Sequence, residues 1–277
     1  MDDRNDYALA ARRVLTQRLE SLHKAGVQQL GKIRVAVAPR QPVQMADRQL
    51  HAADARPPVS NSPSPRPLAL SLLLTDRYPS ELPEAKSDRQ RLLDELNNQV
   101  RACTLCRDLA CSRKQTVFGV GSAKPRVVFF GEAPGADEDR QGEPFVGRAG
   151  QLLTKIIEAC GWKRSDVYIM NVLKCRPPEN RNPLPNEVEN CRPFFERQLE
   201  ILRPEYIVCV GAVPAQALLE TTEAVGKLRG RWHRFRDSQV LVTYHPSYLL
   251  RNPSAKKYVW DDMQILLKDM GLPIPGK

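Results

Sequence analysis

The chain has 277 residues, with 42 Lys+Arg against 32 Asp+Glu, a net charge of +10 and a pI near 9.4. That length accommodates one large domain or one domain with a tail, and the basic balance points toward nucleic acid, a merely soluble basic protein being the plain alternative. No apolar run approaches membrane-spanning length, and the acidic start Met1–Asp6 lacks a signal-peptide apolar core, so no membrane partner and a cytoplasmic location are expected.

Arg4 to about Leu30 reads as an amphipathic helix, with Tyr7, Val14, Leu15, Leu19 and Leu22 at helical spacing. Nine prolines then fall between Pro39 and Pro83, a density that interrupts helices and central strands alike. Residues 1–86 are therefore expected to form a helix plus a proline-rich, disordered extension of unknown partner. From Ser87, which can cap a helix running to about Arg101, the chain looks globular to residue 277. Strand-like runs at Val127–Phe130, Val167–Val172, Tyr206–Val210 and Val240–Tyr244 alternate with helix-like runs at Gly150–Ala159, Asn186–Leu202, Val213–Leu219 and Ser254–Met270. Apolar strands alternating with helices imply an α/β domain whose parallel sheet is covered on both faces.

The loop after the first of these strands runs Gly131-Glu-Ala-Pro-Gly135 through Pro144-Phe-Val-Gly-Arg-Ala-Gly150. It occupies the carboxyl edge of the sheet, where open α/β folds bind ligands. Its acids, Glu132, Asp137, Glu138, Asp139 and Glu143, are either a solvated acidic loop or chemistry offered to a partner that the basic surface attracts. Phe145 in that loop either packs in the core or stacks on a base. Asn171 ends a buried-type strand, where its amide must satisfy the backbone or read a ligand with one donor and one acceptor. His245 is the one histidine of four at a strand's carboxyl end. The stiff basic loop Arg176–Pro183 suits phosphate contact.

Seven cysteines in a cytoplasmic protein argue for metal or redox use rather than disulfides. Cys103-Thr-Leu-Cys106 is a C-x2-C pair, and Cys175 and Cys191 follow with 15 residues between them. Four such thiols can hold zinc or an iron–sulfur cluster; the wide second pair suits a bulkier cluster better. Cys111 can compete by spacing alone, whereas Cys160 and Cys209 read as buried.

These motifs, Gly131-Glu-Ala-Pro-Gly135, Glu143-Pro-Phe-Val-Gly147, Asn171-Val-Leu-Lys-Cys-Arg-Pro-Pro178 and His245-Pro-Ser247, resemble the family-four uracil-DNA glycosylases over roughly Leu92 to Leu272. The resemblance implies a three-layer αβα fold around a central four-stranded parallel sheet. It implies a [4Fe–4S] cluster on Cys103, Cys106, Cys175 and Cys191, and a DNA substrate, single- or double-stranded, bound by a monomer. Glu132 and His245 would be catalytic, with Ala133, Glu138, Phe145 and Asn171 lining the base pocket and Glu138 beside uracil C5. Leu249, Leu250 and Arg251 would be the wedge that holds the gap open. Ala133 stands where some relatives have Gly, and the carboxylate of Glu132 lies one position before the water-activating Asp of family-one enzymes.

Overall fold

The computed structural model describes residues 83–275. The expected amino-terminal helix and most of the proline-rich segment lie outside the described residues.

Six strands form one sheet: β1 (Val120–Gly121), β2 (Val127–Gly131), β3 (Tyr168–Asn171), β4 (Tyr206–Val210), β5 (Trp232–Phe235) and β6 (Ser238–Thr243). Their order is β1-β3-β2-β4-β6-β5. The inner four are parallel, as expected; β1 and β5 add antiparallel edges, so the sheet as a whole is mixed. Neither edge was visible in the sequence. β1 spans two residues, and β5 reads Trp-His-Arg-Phe, too polar for a buried run. A two-residue turn, Arg236-Asp237, sets the register of β5 from Phe235↔Ser238 to Trp232↔Leu241. Arg236 takes a left-handed φ of 53° there.

The helices are α1 (Lys86–Ala102), α2 (Arg107–Ser112), α3 (Ala136–Gln141), α4 (Arg148–Ala159), α5 (Pro185–Leu202), α6 (Ala212–Leu219), α7 (Val225–Leu228), α8 (Pro246–Arg251) and α9 (Lys256–Asp269). The strands explain where they go. β2 is buried at every position, and its side chains alternate between faces. Val128 and Phe130 join a core with Leu93, Leu96 and Val100 of α1 and Phe195 and Leu199 of α5. Val127 and Phe129 join a second core with Leu153 and Ile157 of α4 and Val259, Met263 and Leu266 of α9. Helices therefore cover both faces, which makes three layers. Each fully buried Phe or Leu here contributes about 1.5–3 kcal/mol relative to exposure. Among the described residues no helix is long and apolar enough to cross a membrane.

The parallel registers level the strand ends. Gly131 of β2 stands opposite Asn171 of β3, and Val210 of β4 opposite Thr243 of β6. The chain leaves β2 toward β3 on one side and returns to β4 on the other, so the topological switch point, where open α/β sheets bind ligands, lies at the carboxyl edge beside β2.

Candidate active site

Gly131 ends β2, and a β-carbon there would collide with Asn171 Oδ1 and with the Phe145 ring. That missing side chain is what lets the amide and the aromatic ring converge on one spot. Asn171 is 1% exposed, and its Oδ1 is sealed from solvent with no hydrogen-bond partner. A buried acceptor without a donor costs about 1–3 kcal/mol unless a ligand supplies one.

Phe145 is buried and has a left-handed φ of 54°. A bulky residue holds that conformation only where its surroundings enforce it. Three contacts do so. Gly150 lets α4 press directly against the Phe145 carbonyl, which a β-carbon would overlap. Arg164 donates to Pro144 O at 2.9 Å and to Thr154 Oγ1 at 3.1 Å. Glu138 Oε1 accepts from the N–H groups of Val146 and Gly147, both at 2.9 Å, while its Oε2 accepts from Gly135 N at 3.1 Å. Glu138 thus staples the two halves of the loop.

Most of the loop's acids have structural duties. Asp139 is buried and accepts from Lys114 N at 2.9 Å; Asp137 pairs with Arg140 at 2.7 Å on α3. Glu132 differs. Its main-chain carbonyl accepts from Leu173 N at 3.0 Å, but its half-buried carboxylate has no hydrogen bond or ion pair among the described residues. Burial pushes its pKa up from 4.5. Ala133 is partly buried against the α1–α5 core.

His245 follows β6 and caps α8. Its ring lies 5.8 Å from that of Phe145, centroid to centroid. Gly211, with φ 115°, follows β4, and a β-carbon there would meet the His245 side chain, 3.3 Å from its Cβ and 3.6 Å from its Cδ2. The backbone N–H of Ser247 donates to Nδ1 at 3.1 Å, and the Ser247 hydroxyl lies 2.7 Å from the same atom. An N–H can only donate, so Nδ1 is the acceptor and the proton of a neutral ring sits on Nε2. Burial, with Arg251 adding to it and Glu138 opposing, lowers the pKa to about 4. At neutral pH His245 is an uncharged donor through Nε2.

The three expected wedge residues separate. Leu249 is 1% exposed within the α4–α9 core, whereas Leu250 is 39% exposed and Arg251 is exposed. Leu249 thus packs in the core, and the exposed pair is Leu250 and Arg251.

Residues 118–264, more than half of the chain, match the Uracil DNA glycosylase superfamily. A type-4 uracil-DNA glycosylase of Archaeoglobus fulgidus is 42% identical over 181 residues, 62% of this chain and 90% of the relative. One from Thermotoga maritima is 42% identical over 182 residues, 64% of this chain and 93% of the relative. One from Pyrobaculum aerophilum is 42% identical over 172 residues, 59% and 87% respectively. This chain belongs to the type-4 uracil-DNA glycosylase family.

The glycosylase also brings four thiols near one another. Cys103 closes α1, Cys106 precedes α2, Cys175 follows β3 and Cys191 lies in α5. They sense one another electrostatically: Cys106 with Cys103, Cys175 with both, and Cys191 with Cys175 and Cys106. Burial raises the thiols of Cys106 and Cys175 and pushes that of Cys191 up to about 12. Donors are nevertheless aimed at the sulfurs. Arg113 donates to Cys175 Sγ at 2.9 Å, Asn190 to Cys106 Sγ at 3.4 Å, and the Lys174 N–H to Cys191. Such N–H···S bonds stabilise thiolates and tune clusters bound to them. Cys111 is exposed on α2, while Cys160 and Cys209 are buried, as their contexts suggested. Among the described residues no three His, Cys, Asp or Glu side chains are grouped to hold one metal ion.

Sequence reasoning missed the residues that join these parts in the glycosylase. Lys174 is fully buried; its Nζ donates to Asn171 O at 2.7 Å and to Phe118 O at 3.3 Å. It links the strand end bearing Asn171 to the cysteine locus. Its place inside the Asn171–Pro178 motif was the available signal. Arg113, Arg164 and Asn190 carried none.

Proposed function

We propose that the site excises uracil from DNA by hydrolysis of the N-glycosidic bond, with Asn171 reading the base and His245 stabilising the leaving anion. The observation that carries this reading is the convergence of Asn171, whose Oδ1 has no protein donor, with the Phe145 and His245 rings at the carboxyl edge of the sheet. Uracil offers N3–H to that oxygen and O4 to the amide N–H, while cytosine offers the reverse pattern. Phe145 would stack on the base.

A base in a duplex must be flipped out first, at a cost of a few kcal/mol that is smallest for a mispair. Contacts between the basic surface and phosphates offset that cost. Leu250 and Arg251 are the exposed residues suited to hold the gap. When the bond between uracil N1 and the sugar breaks, the electron pair leaves with the base. The Nε2–H of His245 is suited to donate to O2, where that charge spreads. Water adds its oxygen to the sugar carbon, and its proton ends on solvent or the base. Glu132 would orient that water and face the cationic sugar. Glu138 fixes the loop that carries Phe145, and the same loop would wall off a methyl group at C5. Residues 87–277 would form the catalytic domain. Incubation with an oligonucleotide holding one uracil, followed by alkali, tests the activity: strand cleavage is expected, and an intact strand contradicts it.

Glu132 gives a paired expectation. Its raised pKa means that the folded state favours the protonated form, so the anion costs stability at neutral pH, and this cost vanishes as pH falls through the folded pKa. The chemistry needs the anion, so activity should fall over that same window, above pH 4.5. Glu132→Gln should lose about 100-fold in kcat, flatten this acid limb and raise Tm. Thermal melts and single-turnover rates across pH check both halves.

Cys103, Cys106, Cys175 and Cys191 suit a [4Fe–4S] cluster, with Arg113, Asn190 and the Lys174 N–H supporting the thiolates. When bound, such a cluster supplies a four-point crosslink among α1, α2, the end of β3 and α5. Purified protein should be brown, with about four irons per chain. Cys191→Ala should lose iron and solubility together. Colourless, active protein carrying one zinc, prepared without oxygen, would contradict the assignment.

A further inference from the structure

The helix that follows His245 carries an ordered aromatic surface that uracil recognition does not use. Tyr248 lies one turn beyond His245, its N–H donating to His245 O at 2.9 Å, and it is 39% exposed. Its ring stacks on Tyr244, with centroids 5.0 Å apart and planes 26° from parallel. Tyr244 meets Tyr258 edge-on at 6.4 Å. The Arg229 guanidinium lies 5.6 Å from the Tyr244 ring and 5.1 Å from the Tyr258 ring. Buried Asp262 holds that guanidinium by bonds of 2.9 and 3.2 Å. Lys257 Nζ stands 4.9 Å from the Tyr258 ring, and Arg251 and Lys257 are exposed.

The fixed guanidinium and the inner ring order the outer one. Tyr248 spends one face on Tyr244, and its exposure leaves area for a further ring. A base that stacks there meets a surface already in place, so little side-chain entropy is lost. Cations flank the rings, which is the composition of surfaces that track single-stranded nucleic acid.

We infer that Tyr248 is a stacking platform for a base neighbouring the flipped uracil in an unpaired strand, with Arg251 and Lys257 receiving its phosphates. This rests on the uracil-excision reading. A paired neighbour already stacks within its own duplex and must unpair to reach Tyr248, whereas an unpaired one is free to do so. The platform therefore favours single-stranded substrate.

The test compares wild type, Tyr248→Ala, Tyr248→Phe and Lys257→Ala on one oligonucleotide with a central uracil, single-stranded or annealed with guanine opposite. Melting curves establish that each variant is folded. Tyr248→Ala should lose about tenfold in kcat/KM on the single strand, mostly through KM, and less on the duplex. Tyr248→Phe keeps the ring face and should restore the single-strand value. Lys257→Ala should lower the salt dependence of binding by about one ion. Tyr248→Ala as active as wild type on the single strand overturns the platform. So does an equal loss on both substrates, which marks Tyr248 as packing for α8. Wild-type protein that excises uracil from neither substrate overturns the uracil reading, and the platform with it.

Discussion

Asn171→Asp should lower uracil excision and confer activity on unpaired cytosine. The substitution keeps the shape at the end of β3, where Gly131 leaves room for Oδ1, and changes hydrogen-bond polarity and, when ionised, charge. When the side chain is ionised, the amide N–H that faces uracil O4 is replaced by an acceptor, so two oxygens oppose each other. That mismatch costs about 1–3 kcal/mol, on the order of ten- to a hundredfold in rate. Cytosine presents N3 as an acceptor and N4–H2 as a donor. A protonated carboxyl matches both, and burial favours the protonated form. Cytosine activity should therefore grow as pH falls, and uracil excision should recover over the same range, because the protonated carboxyl can also donate to uracil O4 while its carbonyl accepts N3–H. His245 still serves O2, which the two bases share. Alkali cleavage of matched oligonucleotides, each with one uracil or one unpaired cytosine, gives the comparison. Full uracil activity in Asn171→Asp at alkaline pH, where the carboxylate is ionised, would mean that Asn171 does not read the base.

His245→Ala should lose about 10²–10³ in kcat, the usual cost of removing one donor to a developing anion. Affinity for DNA with an abasic site should change little, because no base is present there to contact. The state of the ring can be checked separately. With its pKa lowered to about 4, His245 stays neutral across the range where an ordinary histidine titrates near 6.5. The wild-type pH–rate profile should therefore show no inflection near 6.5, and the acid limb should follow Glu132. An inflection near 6.5 that disappears in His245→Ala would place a charged histidine in the mechanism.

The parallel heart of the sheet was legible because each inner strand is a run of apolar residues bounded by turns, such as Val127–Phe130 and Tyr206–Val210. The antiparallel edges were not, since two residues at β1 make no pattern and β5 is half polar. Helix α3 hid inside the acidic run, having no apolar positions to repeat. At the site, chemistry-bearing residues at strand ends were legible as types. What each does was less so. Glu138 reads as an acid aimed at a ligand, yet its carboxylate accepts from three backbone amides of its own loop. Leu249 and Leu250 are adjacent and identical, and only packing against α4 and α9 separates the buried one from the exposed one. Lys174 and Arg164 act through main-chain carbonyls, contacts that residue type and spacing do not encode.

The unpartnered Oδ1 of Asn171 can be questioned directly with two free bases. Uracil carries N3–H, the donor that oxygen lacks; 3-methyluracil has the same ring with a methyl group in its place. Inhibition of excision from a uracil oligonucleotide by each base is the measurement. Uracil should inhibit, and 3-methyluracil should be weaker by at least about tenfold, from the lost hydrogen bond alone, with Asn171→Ala narrowing the gap. Equal inhibition of the wild-type protein by the two bases would contradict the assignment of Asn171 as the reader of uracil.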